Sequence, residues 1–351
     1  MHVKSLYLRN FRNYAETEVS FSPKLNVLYG KNAQGKTNLL EALYLIATGR
    51  SFRAQQLHEL IRLGETFFFI EAVLQKENIE HKVQVTFDGE TKKLTLDGNS
   101  YGTLQHLLGL LPSVLYTPSD AELIDGSPAV RRRFLNLHLA QRDPLYIHHL
   151  TRYWRAMKQR NVLLRAKDPH SMDCWEQEMA AAAAYLLQAR QRFIAALQVP
   201  LRTIGHRLSG SGETHEICFH PTYTAENYLT QLQKNRPREK HLGFTLAGPH
   251  RDDFTLSIDD KPARGYASEG QKKTAVGALR LSEWELFTQT AAVPAVLGID
   301  DLGLHLDERR GALLTAALNS LGQVFVTIPE LPRDFPAAKR FLVESGKVVE
   351  D

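Results

Sequence analysis

The stretch Gly30-Lys31-Asn32-Ala33-Gln34-Gly35-Lys36-Thr37 limits what this chain can fold into more than any other. Leu25 to Tyr29 before it reads as a buried strand, and Asn38 to Ile46 after it reads as a helix. Strand, GxxxxGK[ST] turn and helix together make the context of a phosphate-binding loop. Gly30 and Gly35 let the backbone curl until its N–H groups face phosphate oxygens. The helix N-terminus adds partial positive charge on the same side. Lys31, Asn32, Ala33 and Gln34 are expected to line the phosphates. Lys36 should reach the β- and γ-phosphates, and the Thr37 hydroxyl should ligate Mg²⁺. The expected ligand is a nucleoside triphosphate.

At 351 residues the chain is long for one core, which predicts two lobes. No apolar run approaches the roughly 18 residues of a membrane span, so no membrane partner is expected. Met1 to Tyr7 lacks the apolar core and cleavage site of a signal peptide. Cys174 and Cys218, the only cysteines, follow neither metal nor disulfide spacing. They are expected to be reduced packing residues in the cytoplasm. The net charge of +4 says little, but its distribution says more. Arg131 to Lys167 holds ten Lys or Arg against Asp143, with Asp168 just beyond. Such a concentration suits a polyanion, with a solvated helix face as the alternative. Arg131, Arg132, Arg155 and Arg160 are the candidates for DNA contact.

The pattern is mixed α/β. Val3 to Leu8 alternates as a half-buried strand does, and a second short strand ends near Phe21. Gly49 to Arg53 is a basic loop near the expected nucleotide. Phe67–Gln75, His81–Asp88 and Lys92–Asp97 read as an antiparallel meander, with Asp88-Gly89 and Asp97-Gly98 as turns. From Pro118 the texture becomes helical, with Ser119 as a candidate N-cap. A basic helix from Arg131 should run, with a break near Asp143-Pro144, to about Leu164. A second begins near Asp173, and Pro200 should kink or interrupt it. Residues 233–240 read as an exposed charged stretch. Strands are expected at Phe244–Leu246, Phe254–Ile258, Pro294–Ile299 and Val324–Val326, and helices at Glu269–Leu286 and Leu306–Leu321. The division that follows is 1–117 for the first part of an ATPase lobe, 118–242 for a helical lobe, and 243–351 for the return to the ATPase lobe.

Val296-Leu297-Gly298-Ile299-Asp300-Asp301 is an apolar strand ending in carboxylates. Placed beside the loop strand, it would bring Asp300 to the Mg²⁺ and Asp301 to the attacking water. Gly298 is an oddity there and is expected to loosen packing. Ser268-Glu269-Gly270-Gln271-Lys272 offers a second anion-receptive helix start, with Ser268, Gly270 and Gln271 as nucleotide contacts. No Asn-Lys-x-Asp guanine-reading stretch is found.

In this order the motifs resemble the ABC-type ATPases, in which the signature motif of one subunit closes over the γ-phosphate held by another. The likeness becomes narrower elsewhere. Leu8-Arg9-Asn10-Phe11-Arg12-Asn13-Tyr14, Gly35-Lys36-Thr37-Asn38-Leu39-Leu40-Glu41-Ala42 and Thr117-Pro118-Ser119-Asp120 are similar to stretches of the RecF family of bacterial DNA repair proteins. So are Gly126-Ser127-Pro128 with Arg131-Arg132-Arg133-Phe134-Leu135, and Gly248-Pro249-His250-Arg251-Asp252-Asp253. The resemblance implies an SMC-like ABC ATPase head with a helical second lobe. It also implies a homodimer that closes with ATP on gapped DNA or a single-strand/double-strand junction. Cooperation with RecR and RecO, loading of RecA, and slow DNA-stimulated ATP hydrolysis as a switch follow from the same resemblance. The chain departs from the family at Leu304-His305-Leu306-Asp307, at Ile328-Pro329 after Thr327, and at Gly298. A structural clamp with incidental turnover, or an ABC subunit with a non-DNA partner, are the alternatives.

Overall fold

The computed structural model describes residues 1–167, 170–210, 212–290, 295–302, 318, 321–332, 335 and 338–351. In chain order the elements begin with β1 (His2–Phe11), β2 (Tyr14–Ser20), β3 (Leu25–Tyr29) and α1 (Lys36–Thr48). Then follow β4 (Phe68–Lys76), β5 (Ile79–Phe87), β6 (Lys92–Leu96), β7 (Asn99–Tyr101) and β8 (Ser113–Tyr116). The helical part comprises α2 (Glu122–Asp125), α3 (Pro128–Arg142), α4 (Pro144–Ala166) and α5 (Met172–Ser209), then β9 (His215–His220) and α6 (Tyr228–Leu242). It ends with β10 (Asp253–Ile258), β11 (Lys261–Pro262) and α7 (Ala263–Tyr266). Last come α8 (Glu269–Thr290), β12 (Val296–Ile299), β13 (Val324–Ile328), β14 (Lys339–Glu344) and β15 (Lys347–Glu350).

The chain forms two compact units. One comprises residues 1–120, 204–212 and 269–351, and the other 121–203 and 213–268. The second unit therefore extends past residue 243, the boundary expected from sequence, to Ser268. The expected strand Phe244–Leu246 is not one, and β10 after it pairs with β9 on one side and β11 on the other, inside the second unit.

In the first unit, β2-β1-β4-β5-β6-β7 form an antiparallel sheet and β15-β14-β3-β13-β12-β8 a mixed one. In the mixed sheet every pairing from β14 to β8 is parallel, and β15 alone runs antiparallel. Apolar residues of both sheets share one core with α1: Leu6, Ile70 and Val85 from the first, Leu28, Phe325 and Phe341 from the second, Leu39, Leu43 and Ile46 from the helix. Period-two burial in β4 and continuous burial in β3, β12 and β13 follow from one covered face in the first sheet and two in the parallel strands.

Asp143 ends α3 and caps α4, its carboxylate accepting from Leu145 N at 2.9 Å, so the break lies where the Asp-Pro pair placed it. Pro200 does not interrupt α5, which is helical from Met172 to Ser209. Leu197 and Leu201 on either side are fully buried, and their packing outweighs the roughly 3 kcal/mol that an interior proline costs. Residues 233–240 also differ from expectation. They lie within α6, where Arg236 pairs with Asp173 and Glu176 and where Glu239 is buried. Ser119 sits inside a 3₁₀ turn, Pro118–Ala121, and caps no longer helix. Cys174 and Cys218 are exposed thiols rather than packing residues. Among the described residues no helix is long and apolar enough to cross a membrane.

Candidate nucleotide site

The phosphate loop needs backbone conformations that only small residues tolerate. Gly30 has φ +139° and Gly35 φ +124°. A Cβ on Gly30 would lie 2.4 Å from the Val343 carbonyl oxygen of β14, and one on Gly35 would meet Asn13 and Tyr14 at 2.8–3.0 Å. Lys36 is buried inside the turn, and its Nζ donates to the carbonyls of Gly30 (2.6 Å) and Lys31 (2.9 Å). Burial lowers the Lys36 pKa, and the carboxylates of Asp301 and Asp300 oppose that shift. Lys31, Asn32 and Ala33 are exposed at the crest of the loop.

The expectation that the carboxylate strand adjoins the loop strand does not hold. β13 lies between β3 and β12. Thr327, the fourth residue of β13, spans the gap. Its Oγ1 donates to Asp300 Oδ1 at 2.7 Å and accepts from Asp301 N at 2.8 Å. On the other side Thr37 Oγ1 donates to the same Asp300 Oδ1 at 2.9 Å. Asp300 is buried, and burial raises its pKa against the two hydroxyl hydrogen bonds. Asp301 is half-buried in a left-handed conformation, φ +53°, which is held by the Thr327 contact. Lys36, Thr37, Asp300 and Asp301 are thus gathered at the C-terminal end of one parallel sheet, where open α/β sheets place their ligands. Thr37 and Asp300 offer hard oxygen donors side by side, a set that fits Mg²⁺ completed by phosphate and water oxygens.

The loosening expected at Gly298 is a small cavity of about 20 Å³ that it lines with Leu40 and Leu115. A Cβ there would lie 2.9 Å from Leu115 Cδ1 and 3.0 Å from Leu40 Cδ1, so its bareness lets α1 approach β12. Ser268 and Gly270 are exposed, and Gln271 is half-buried at the start of α8. Leu304 to Asp307, and all of the expected helix Leu306–Leu321 except Leu318 and Leu321, lie outside the described residues.

A backing layer behind the loop went unassigned in the sequence. It comes from the β1–β2 turn, the stretch Arg12-Asn13-Tyr14. Asn13 Nδ2 donates to Gln34 O (2.8 Å), and Tyr14 Oη donates to Gly35 O (3.0 Å). Asn13 Oδ1 accepts from Asn38, whose own Oδ1 accepts from Arg53 at 2.9 Å. Arg12 binds Glu41 of α1 through two 2.8 Å hydrogen bonds, and Ser51 donates to the same carboxylate. From the far end of the chain, Ser345 N donates to Gln34 Oε1 (2.7 Å) and Gly346 N to Gln34 O (3.1 Å). Leu8 to Tyr14 carried the only sequence signal, as a recurring stretch without a role.

The four candidate DNA residues divide. Arg160 is fully buried in the second unit. It binds Glu176 (3.0 Å), Glu239 (2.6 Å), Thr245 (3.0 Å) and the Leu232 carbonyl (3.1 Å). Arg131 is buried against Asp253 in a two-pronged pair at 2.6 and 2.9 Å. Both are structural ion pairs, so neither presents its charge to a polyanion. Arg132 is half-buried and donates to Asp252 O at 3.1 Å, while Arg155 is exposed. Charge counting along a helix does not reveal which face the counter-charges occupy.

Residues 2–330 match the family model described as RecF/RecN/SMC N terminal domain. The "DNA replication and repair protein RecF" of Protochlamydia amoebophila is 42% identical over 337 residues, covering 93% of this chain and 94% of that protein. The chain belongs to the RecF family. A RecF-family relative from Chlamydia abortus is 38% identical over 340 residues, with 95% and 93% covered. The solved structure of the recombination mediator protein RecF-ATP in the RecFOR pathway has a TM-score of 0.92 at 27% identity, covering 100% of this chain and 97% of that one. An Smc head bound to the C-winged helix domain of ScpA has a TM-score of 0.63 at 15% identity, covering 100% and 98%, and shares the fold alone. The expected ABC/SMC-type α/β head is therefore the observed fold class.

Proposed function

We propose that this chain is an ATP-dependent DNA-binding protein of recombinational repair, acting in the cytoplasm. The observation that carries it is the Lys36–Thr37–Asp300–Thr327 cluster in a chain that RecF-family relatives match over more than nine-tenths of its length. ATP is held by the backbone of residues 30–37 and by Lys36. Thr37 and Asp300 hold Mg²⁺, which when bound neutralises phosphate charge. Asp301 orients the attacking water. Ser268, Gly270 and Gln271 of a second copy complete the site across an ATP-dependent homodimer, and their surface position suits a contact made in trans. Turnover is slow and DNA-stimulated, and it releases the dimer. The DNA partner is a gapped duplex with a single-strand/double-strand junction. RecR and RecO act with the dimer to load RecA.

Fluorescence anisotropy of a labelled gapped duplex, in ATP and then in ADP, tests this reading. Binding should be tighter in ATP and lost in Lys36→Ala. Ser268→Arg should keep ATP binding by the monomer and lose the ATP-dependent gain on DNA. Equal affinity in both nucleotides would refute the switch.

A further inference from the structure

Outside the nucleotide site, the second unit carries a surface to which no role has been given. On α4, Trp154, Lys158, Asn161 and Arg165 recur at i, i+4, i+7 and i+11 along one face, roughly 16 Å of helix. With Met157 they line an open hollow of about 370 Å³. Trp154 is 45% exposed, which is unusual for the largest apolar side chain. Its ring meets His250 edge-on at 6.4 Å. The residue after His250, Arg251, lies 5.6 Å over the ring of Phe244, which is itself 39% exposed. Asn161 spends its carbonyl oxygen on Thr245 N and Oγ1, so its amide NH₂ is available to the hollow. Among the described residues Lys158, Arg165 and Arg251 form no ion pair, in contrast to the buried Arg131 and Arg160 nearby in sequence.

An exposed indole, with a second aromatic ring capped by Arg251, among three cations without ion pairs suits a ligand that repeats a negative charge and a flat apolar face. A single-stranded nucleic acid has both. A duplex offers the charge alone, because its base faces are stacked on each other. An acidic protein segment also offers charge, but it does not repeat a flat ring beside each negative charge as a nucleic acid does in every unit. We propose that this face is a single-stranded DNA site, with an unpaired base stacked on Trp154 and phosphates on Lys158, Arg165 and Arg251. It rests on the DNA-binding reading above and extends it, by giving the single-stranded arm of a junction its own place on the protein.

The full-length protein in ATP is titrated into a labelled oligo(dT) of about 20 nucleotides, and separately into a duplex of equal length. Anisotropy and tryptophan fluorescence are read together. Oligo(dT) should quench the wild-type emission, and Trp154→Phe should remove most of the quench, since Trp284 is buried and Trp175 is half-buried on α5, off the α4 face. Trp154→Ala should weaken oligo(dT) about 10-fold and change duplex affinity less than twofold. Lys158→Gln and Arg165→Gln should each lower the slope of log affinity against log salt by about 0.7 on the single strand. Unchanged oligo(dT) affinity and slope in all three variants would overturn the site, while wild-type duplex binding would leave the DNA reading standing. Equal losses on both DNAs, or displacement of oligo(dT) by polyglutamate as readily as by unlabelled oligo(dT), would overturn base stacking. No binding of either DNA by wild type would remove the DNA reading and this site with it.

Discussion

At the scale of single residues, the phosphate loop is held from behind by side chains that never face the phosphate. Asn13 joins the loop carbonyl of Gln34 to Asn38 of α1. Asn13→Ala removes both bonds, at about 1 kcal/mol each, and should weaken ATP by about 5- to 30-fold. A nucleotide titration checks this, and an unchanged Kd with a lowered melting temperature would make Asn13 a stabilising residue only. His250 shows the same economy in the second unit. It is half-buried, with Nδ1 at 2.7 Å from Tyr153 Oη and Nε2 at 3.0 Å from Thr245 O. Burial holds its pKa down to about 4, with Arg251, Arg132 and Arg190 adding to the shift and the Thr245 contact opposing it. The unfolded chain, titrating near 6.5, therefore binds a proton more readily than the folded one. Stability is whole above that value and falls as pH drops toward 4, by on the order of 2 kcal/mol. His250→Gln should flatten this part of the pH–melting curve, and an unaltered curve would refute the assignment.

Among elements, the β3-β13-β12 order explains what was readable and what was not. The turn chemistry of residues 30–37 and the carboxylates after β12 are local patterns, visible in a few residues each. Nothing local says that β13 inserts between them, because strand order depends on contacts nearly three hundred residues apart. Thr327 therefore fell just past the expected strand Val324–Val326, with no role assigned, although it bridges Asp300 and Asp301. What Gly298 packs against was hidden for the same reason, since its neighbours Leu40 and Leu115 come from distant segments. Those leucines also border a cavity of about 20 Å³ into which their tips can move. Gly298→Ala should consequently change stability by less than about 1 kcal/mol, whereas Gly298→Val should cost about 1–3 kcal/mol by overpacking. Chemical denaturation of both variants decides it, and equal costs would mean that the leucines cannot yield.

For the whole molecule, motif order and the RecF-family stretches were legible along the chain, and the family comparison agrees with them. The unit boundary and the arginine roles were not. Gly248 to Asp253 shows why. Gly248 has φ +131° and Tyr228 and Tyr153 against it, and Asp252 binds the buried Arg190 at 2.7 Å. Apart from the exposed Arg251, this family stretch is thus the hub of a polar interior, and the basic run Arg131–Lys167 supplies Arg131 and Arg160 as counter-ions within the same unit.

The grip of Ser345 and Gly346 on Gln34 also bears on biogenesis. The ribosome delivers the phosphate loop early, but two of its hydrogen bonds come from residues more than three hundred positions later. A nascent chain carries the whole GxxxxGK[ST] stretch long before it can hold that stretch in shape. Shaping of the phosphate loop is thereby tied to the β14–β15 turn and not to its sequence neighbours alone.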